Sequence, residues 1–254
     1  MEKYTSKEMM TIAAARRITN SDIVFCGTGI SMLAAMAAKH INAKKSVIMF
    51  ETGAIGSSLE DLPLAVGDSR VMYNADVFGT LADSFAFMQN KFTGKNVVGI
   101  LGAAQIDKYG NLNSTVIGDY FNPTARFAGS GGGCDVASFA DRVIVFMKHE
   151  KRRFVKKLDY LTSPGWLNGD NSRSETGIAT GGVAAVITDM GVLEFDKQSK
   201  RMYLKGYYPN IEQKAIVDNI GFEIDVSKAS LIEPPCKEEL FALRNKCDPQ
   251  RLIL

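Results

Sequence analysis

Histidine is almost absent from this sequence of 254 residues, with only His40 and His149 present. The four cysteines, Cys26, Cys134, Cys236 and Cys247, stand far apart and form no CxxC pair. These scarcities exclude the usual zinc spacings and a disulfide-stapled scaffold. No charge of one sign dominates. Lys and Arg number 30 against 28 Asp and Glu, a formal net charge of +2, so no strong field points to nucleic acid or an anionic membrane. No apolar run approaches the ~20 residues that a membrane-spanning helix needs. The opening MEKYTSKEMM is charged and lacks the apolar core of a signal peptide. Free thiols suit a reducing compartment, and the chain reads as cytoplasmic. Proline is sparse too, at 7 residues. With no linker, repeat or low-complexity tract, residues 1–254 read as a single domain.

What is present is an ordinary globular mix, 46% hydrophobic and 23% charged. Thr5 and Glu8 have capping-box spacing ahead of a helix whose apolar face is Met9, Ile12, Ala13 and Ile18. The run Ile23-Val24-Phe25-Cys26 is too short for a helix, and Gly27-Thr28-Gly29 and a helical stretch from Ser31 to His40 follow it. Strand, glycine turn and helix open a βαβ unit. Further buried strands are expected at Ser46 to Phe50, Val97 to Leu101 and Val143 to Met147. They are apolar throughout rather than alternating, which suits a parallel sheet covered by helices on both faces. Later, Val183 to Thr188, Gly191 to Phe195 and Arg201 to Tyr207 read as antiparallel strands, the last two forming a hairpin. A helix at Ile211 to Asn219, a strand at Phe222 to Val226 and a helix at Lys237 to Cys247 complete the expectation. The fold class is α/β: an open, mostly parallel sheet covered by helices, with a C-terminal antiparallel hairpin.

Ligands of such sheets bind beyond the carboxyl ends of the strands. That rule selects the turn holding Gly27 and Gly29, and Glu51 at the end of the second strand. Glycine in a tight strand-to-helix turn also has a purely backbone explanation. Glu51 stands where the sheet would otherwise take an apolar residue, but on periodicity alone a strand-end carboxylate facing solvent or capping a helix is the favoured reading. The run Gly129-Ser130-Gly131-Gly132-Gly133-Cys134-Asp135 is the most unusual stretch. Clustered glycines can aim several backbone N–H groups at one point, as an oxyanion hole requires; a flexible loop is the plain alternative. Cys26 and Cys134 lie beside glycine turns, so each could be a thiol nucleophile or a spectator. The run from Lys148 to Arg153 reads as a solvated charged face, and Trp166 as a packing anchor.

Three stretches occur in a telling order: Phe50-Glu51-Thr52-Gly53, the segment from Gly102 to Thr115 (GAAQIDKYGNLNST), and Gly129 to Asp135. With HEKRRF at His149 to Phe154 and LDYLTSPGW at Leu158 to Trp166, the chain resembles the β subunits of class I coenzyme A transferases, the glutaconate branch above all. The resemblance implies an open α/β fold and an enzyme completed by an α subunit, the partner expected here. It implies Glu51 as nucleophile, with Thr52 where serine or asparagine is more usual. It also implies Gly131 and Gly132 as oxyanion donors; Gly27 and Gly29, selected by their place at a strand's carboxyl end, are the further oxyanion or coenzyme-binding candidates. The substrates would be an acyl-CoA thioester and a carboxylic acid such as acetate, with no metal and no tightly bound cofactor. Decarboxylases and ring-opening hydrolases on similar scaffolds depart at the glutamate position, so Glu51 favours transfer. A thioester hydrolase and a non-catalytic ligand-binding subunit are the rival readings.

Overall fold

The computed structural model describes residues 3–90, 96–178 and 180–254. They gather into two compact units, Met1–Leu101 with Pro234–Leu254, and Gly102–Glu233.

The first unit runs through α1 (Ser6–Ala15), β1 (Ile23–Cys26), α2 (Ile30–Ile41), β2 (Val47–Met49), β3 (Ala54–Ile55), β4 (Val77–Phe78), α3 (Leu81–Gln89) and β5 (Val97–Gly102). β1 is flanked by β2 and β5, both parallel to it, with Ile23 opposite Val47 and Val97. β3 and β4 extend this sheet antiparallel beyond β2. Val24, Ile48 and Val98 are fully buried, as expected of parallel strands covered on both faces. From Met32 to Ala38 every residue of α2 is buried, which explains its Ala- and Met-rich sequence: small side chains admit neighbours closely. Each large side chain removed from water this way contributes ~1.5–3 kcal/mol.

The second unit contains β6 (Gln105–Ile106), β7 (Leu112–Asn113), β8 (Val116–Gly118), β9 (Pro123–Arg126), α4 (Gly133–Phe139), β10 (Arg142–Phe146), α5 (Ser172–Glu175), β11 (Val183–Ile187), β12 (Gly191–Phe195), β13 (Met202–Tyr207), α6 (Gln213–Asp218) and β14 (Ser230–Leu231). β10 and β11 are parallel, β12 and β13 add the expected antiparallel hairpin, and β14 joins β13 in parallel. β6 with β7 and β8 with β9 form two small antiparallel pairs. The architecture is the open α/β sheet that the strand patterns imply.

The chain then returns to the first unit with α7 (Lys237–Ala242) and a π-helical turn, Leu243–Cys247. The Thr5–Glu8 capping box is present, Thr5 N donating to Glu8 Oε2 at 2.8 Å and Glu8 N to Thr5 Oγ1 at 3.2 Å. Glu8 also receives Arg244 Nε at 2.6 Å, and Glu239 of α7 receives Arg16 Nε at 2.7 Å. Two carboxylate–guanidinium pairs therefore fasten the C-terminal segment to α1 and the residue after it.

Burial alone would raise both carboxyls, but the arginines and the cap amides outweigh it and hold them below the ordinary glutamate range. Their stabilisation is complete above pH ~4.5 and is lost as pH falls through the lowered folded values. Thermal unfolding from pH 6 to pH 3 should show Tm falling across that window. The fall should be smaller in Glu8→Gln, which has no titrating group there.

Three expectations change. Phe222 to Val226 is not a strand: only Asp225 bridges Tyr203, and the paired strand lies at Ser230–Leu231. Phe222 is buried, but the neighbouring Gly221 N–H bonds to Phe154 O at 2.7 Å instead of to a ladder. The C-terminal helix is α-helical only to Ala242. The charged run at 148–153 is not uniformly solvated, because His149 is buried, stacked on Phe154 and within 3.0 Å of Ile216 O. Burial lowers its pKa.

Candidate active site

β1 ends where glycine becomes obligatory. Gly29 has φ +80 and begins α2, its carbonyl accepting Leu33 N–H at 3.1 Å. Gly27 has an ordinary φ and open space where a Cβ would stand. Parallel register pairs Phe25 with Met49, so Gly27 and Glu51 each lie two residues beyond matched positions on neighbouring strands. The sequence-selected residues of the first unit thus share the carboxyl end of its sheet.

Glu51 occupies a tight reversal between β2 and β3. Phe50 N donates to Ala54 O at 2.9 Å, and Gly53 N to Phe50 O at 3.2 Å. Gly53 has φ +105, and a Cβ there would collide with the backbone of Gly79, whose N–H donates to Gly53 O at 2.9 Å. From α3, the fully buried Ser84 Oγ donates to Phe50 O at 2.8 Å. The turn is therefore pinned on three sides. Glu51 is half-buried, and among the described residues no donor or cation engages its carboxylate. Beside it, Thr52 Oγ1 is buried with no hydrogen-bond partner, a deficit worth about 1–3 kcal/mol.

Gly131 and Gly132 lie in the second unit, immediately before α4. Gly129 and Gly131 have φ of +89 and +49, the left-handed region that favours glycine. Ser114 clasps Gly129 from both sides, donating Oγ to its carbonyl at 2.9 Å and accepting its N–H at 3.1 Å. Ser130 accepts the N–H of Gly133 at its carbonyl, 2.8 Å, and that of Cys134 at its hydroxyl, 2.9 Å. Among the described residues, the amides of Gly131 and Gly132 donate to nothing, and neither glycine is buried. Two adjacent N–H groups on a braced loop stand ready for an external acceptor.

Of the two cysteines beside glycine turns, Cys26 is buried and burial pushes its thiol up to about 12, which removes it as a nucleophile at neutral pH. Cys134 is exposed at the start of α4. Trp166 is a packing anchor: Nε1 donates to Val183 O at 2.8 Å, and the ring fills the space a side chain at Gly182 would need. Sequence reasoning missed Arg173. Its guanidinium is buried and donates to the carbonyls of Thr180, Pro164, Gly165, Ala137 and Ser138, and among the described residues no carboxylate pairs with it. Burial lowers its pKa to about 10. In the sequence it stands in Ser172-Arg173-Ser174-Glu175, a run that looks like exposed surface.

Comparison with known proteins decides the family. Residues 7–219 match the model of the coenzyme A transferase family. The chain belongs to the coenzyme A transferases. The B subunit of glutaconate CoA-transferase from Acidaminococcus fermentans is 40% identical over 99% of this chain and 95% of its own length. The crystal structure of glutaconate coenzyme A-transferase from that organism matches with a TM-score of 0.95 and 39% identity, over 99% of this chain and 97% of the matched one. The B subunit of 3-oxoadipate CoA-transferase from Pseudomonas knackmussii is 35% identical over 96% of this chain and 94% of its own. This coenzyme A transferase chain is thus of the B-subunit type.

Proposed function

We infer that this chain is the β subunit of a two-subunit enzyme that moves coenzyme A between an acyl-CoA and a carboxylic acid, with Glu51 as nucleophile. The observation that carries the reading is the unengaged Glu51 carboxylate, held at a strand end by a turn that cannot shift. A carboxylate without a counter-ion keeps its lone pairs for attack. One oxygen of Glu51 adds to the thioester carbonyl, the C–S bond breaks, and coenzyme A leaves as thiolate, giving an acyl-glutamyl anhydride. The thiolate then adds to Cδ of Glu51, the anhydride C–O bond breaks, and the first acid leaves, giving a glutamyl-CoA thioester. A second carboxylate runs these steps in reverse.

Each addition places charge on an oxygen, and the free amides of Gly131 and Gly132 are the donors we assign to it; one such donor contributes ~2.7–4 kcal/mol. Gly27 and Gly29 leave the backbone open for coenzyme A. The substrate class is a short or dicarboxylic acyl-CoA, glutaconyl-CoA-like, with acetate as a fitting acceptor. Four free cysteines support a cytoplasmic setting, and among the described residues no helix is long and apolar enough to cross a membrane.

The reading requires a partner, since both relatives are B subunits by name. Purified alone, the chain should give no detectable CoA exchange between acyl-CoA and labelled acetate. Adding the α subunit should restore exchange. Full activity of the lone chain would overturn the two-subunit assignment.

A further inference from the structure

Two groups without hydrogen-bond partners among the described residues occupy consecutive positions in the turn after β2. Glu51 offers only acceptors, and among the described residues nothing donates to them. Thr52 offers a hydroxyl that is closed off from solvent and has no partner. Such a hydroxyl weakens the fold, because it has given up water and received nothing in return. Valine would fill nearly the same volume without that penalty. A donor kept there at that cost points to an acceptor it meets in another arrangement of the turn's side chains.

We propose that Thr52 is the positioning residue for Glu51, its hydroxyl donating to the Glu51 carboxylate oxygen that does not attack. The proposal rests on Glu51 being the nucleophile. The backbone of the turn is fixed by Gly53 N to Phe50 O and Gly79 N to Gly53 O, so the adjustment falls to the Glu51 side chain. Threonine is restricted at χ1 because its Cβ is branched, which makes its hydroxyl a preset donor rather than a searching one. Held by one oxygen, the carboxylate loses rotational freedom and directs the other oxygen at the thioester carbon.

The same bond serves the second step. After acyl transfer, the held oxygen is the carbonyl oxygen of the glutamyl group. When the thiolate adds to Cδ, the carbonyl π pair moves onto that oxygen, and the Thr52 hydrogen bond strengthens as its acceptor becomes an anion. Collapse returns the pair and expels the acid. The Thr52 proton never leaves its oxygen. Unlike the amides of Gly131 and Gly132, this donor is part of the nucleophile's own turn, so it serves the glutamyl oxygen whatever acyl group is being carried.

The test compares Thr52→Val, Thr52→Ser and Thr52→Ala in the assembled two-subunit enzyme, with Glu51→Gln in parallel. Formation of the coenzyme A adduct in a single turnover is followed by intact mass, alongside KM, kcat and Tm. Thr52→Val should keep or raise Tm and leave KM nearly unchanged, while adduct formation and kcat fall on the order of 10²-fold. Thr52→Ala should show the same kinetic loss, and Thr52→Ser should recover most of the rate. A wild-type adduct rate in Thr52→Val would overturn the proposal. So would a Thr52→Ser variant as slow as the valine, or losses that merely track a lower Tm in all three. An adduct formed by Glu51→Gln would instead refute the choice of nucleophile. An inert Glu51→Gln beside a fully active Thr52→Val would refute the positioning role alone.

Discussion

Glu51→Gln should assemble with its partner, melt like the wild type and lose turnover by on the order of 10³-fold or more. The amide has the shape of the carboxylate without its anionic oxygen. Nothing in the fold depends on the charge, because among the described residues no donor or cation engages it. That separation of stability from rate is what distinguishes a nucleophile from a strand-end carboxylate that caps or pairs. In the wild type, acyl-CoA given without an acceptor acid should leave coenzyme A covalently attached to this chain. Hydroxylamine should release it, and peptide mapping should place it at Phe50-Glu51-Thr52. Glu51→Asp withdraws the carboxylate by about 1.5 Å, and a misplacement of ~1 Å can cost ~10²-fold in rate. An adduct mapped to the exposed Cys134 would overturn the mechanism, and wild-type turnover in Glu51→Gln would overturn the choice of residue.

Arg173→Met should cause the largest loss of stability. The change keeps an unbranched apolar stem but strips donors from the carbonyls of Ala137, Ser138, Pro164, Gly165 and Thr180. Each buried carbonyl left without a donor costs ~1–3 kcal/mol, part of which relaxation recovers. A net loss of about 3–5 kcal/mol corresponds to a Tm lower by roughly 10 °C for a chain this long. Arg173→Lys retains the charge, but three donors on one nitrogen cannot span the sites a planar fork reaches. It should melt between the two. Equal melting temperatures for all three proteins would show that water already serves those carbonyls.

The strands that sequence reads best are short β-forming runs that a glycine begins or follows. Ile23–Cys26 and Gly191–Phe195 have the limits their composition implied. Pieces of two or three residues such as Ala54–Ile55, Val77–Phe78 and Leu112–Asn113 leave no period to detect. They exist because a neighbour's backbone supplies their hydrogen bonds. The junction at Leu101 with Gly102 falls inside β5, so the sequence runs through it without a mark, whereas the one at Glu233 with Pro234 coincides with the pair Pro234-Pro235, a loop signal. Among the candidate site residues, the pattern pointed to Glu51 and the glycine loop because a carboxylate ending an apolar strand and clustered glycines are compositional oddities. Arg173 and the Thr52 hydroxyl are not. Their character comes from which atoms surround them, and residue identity says nothing of that.

The close approach of Gly53 to Gly79 has a bearing on selectivity. With Glu51 as the proposed nucleophile, two different acids would load in succession onto one glutamate. A turn with room for no side chain beyond Glu51 and Thr52 has nothing with which to tell those acids apart. Because Ser84 and Gly79 hold it from behind, it cannot reshape itself around either one. On that proposal, discrimination between donor and acceptor acids would reside in surfaces other than this turn, free to change while the reacting group stays the same.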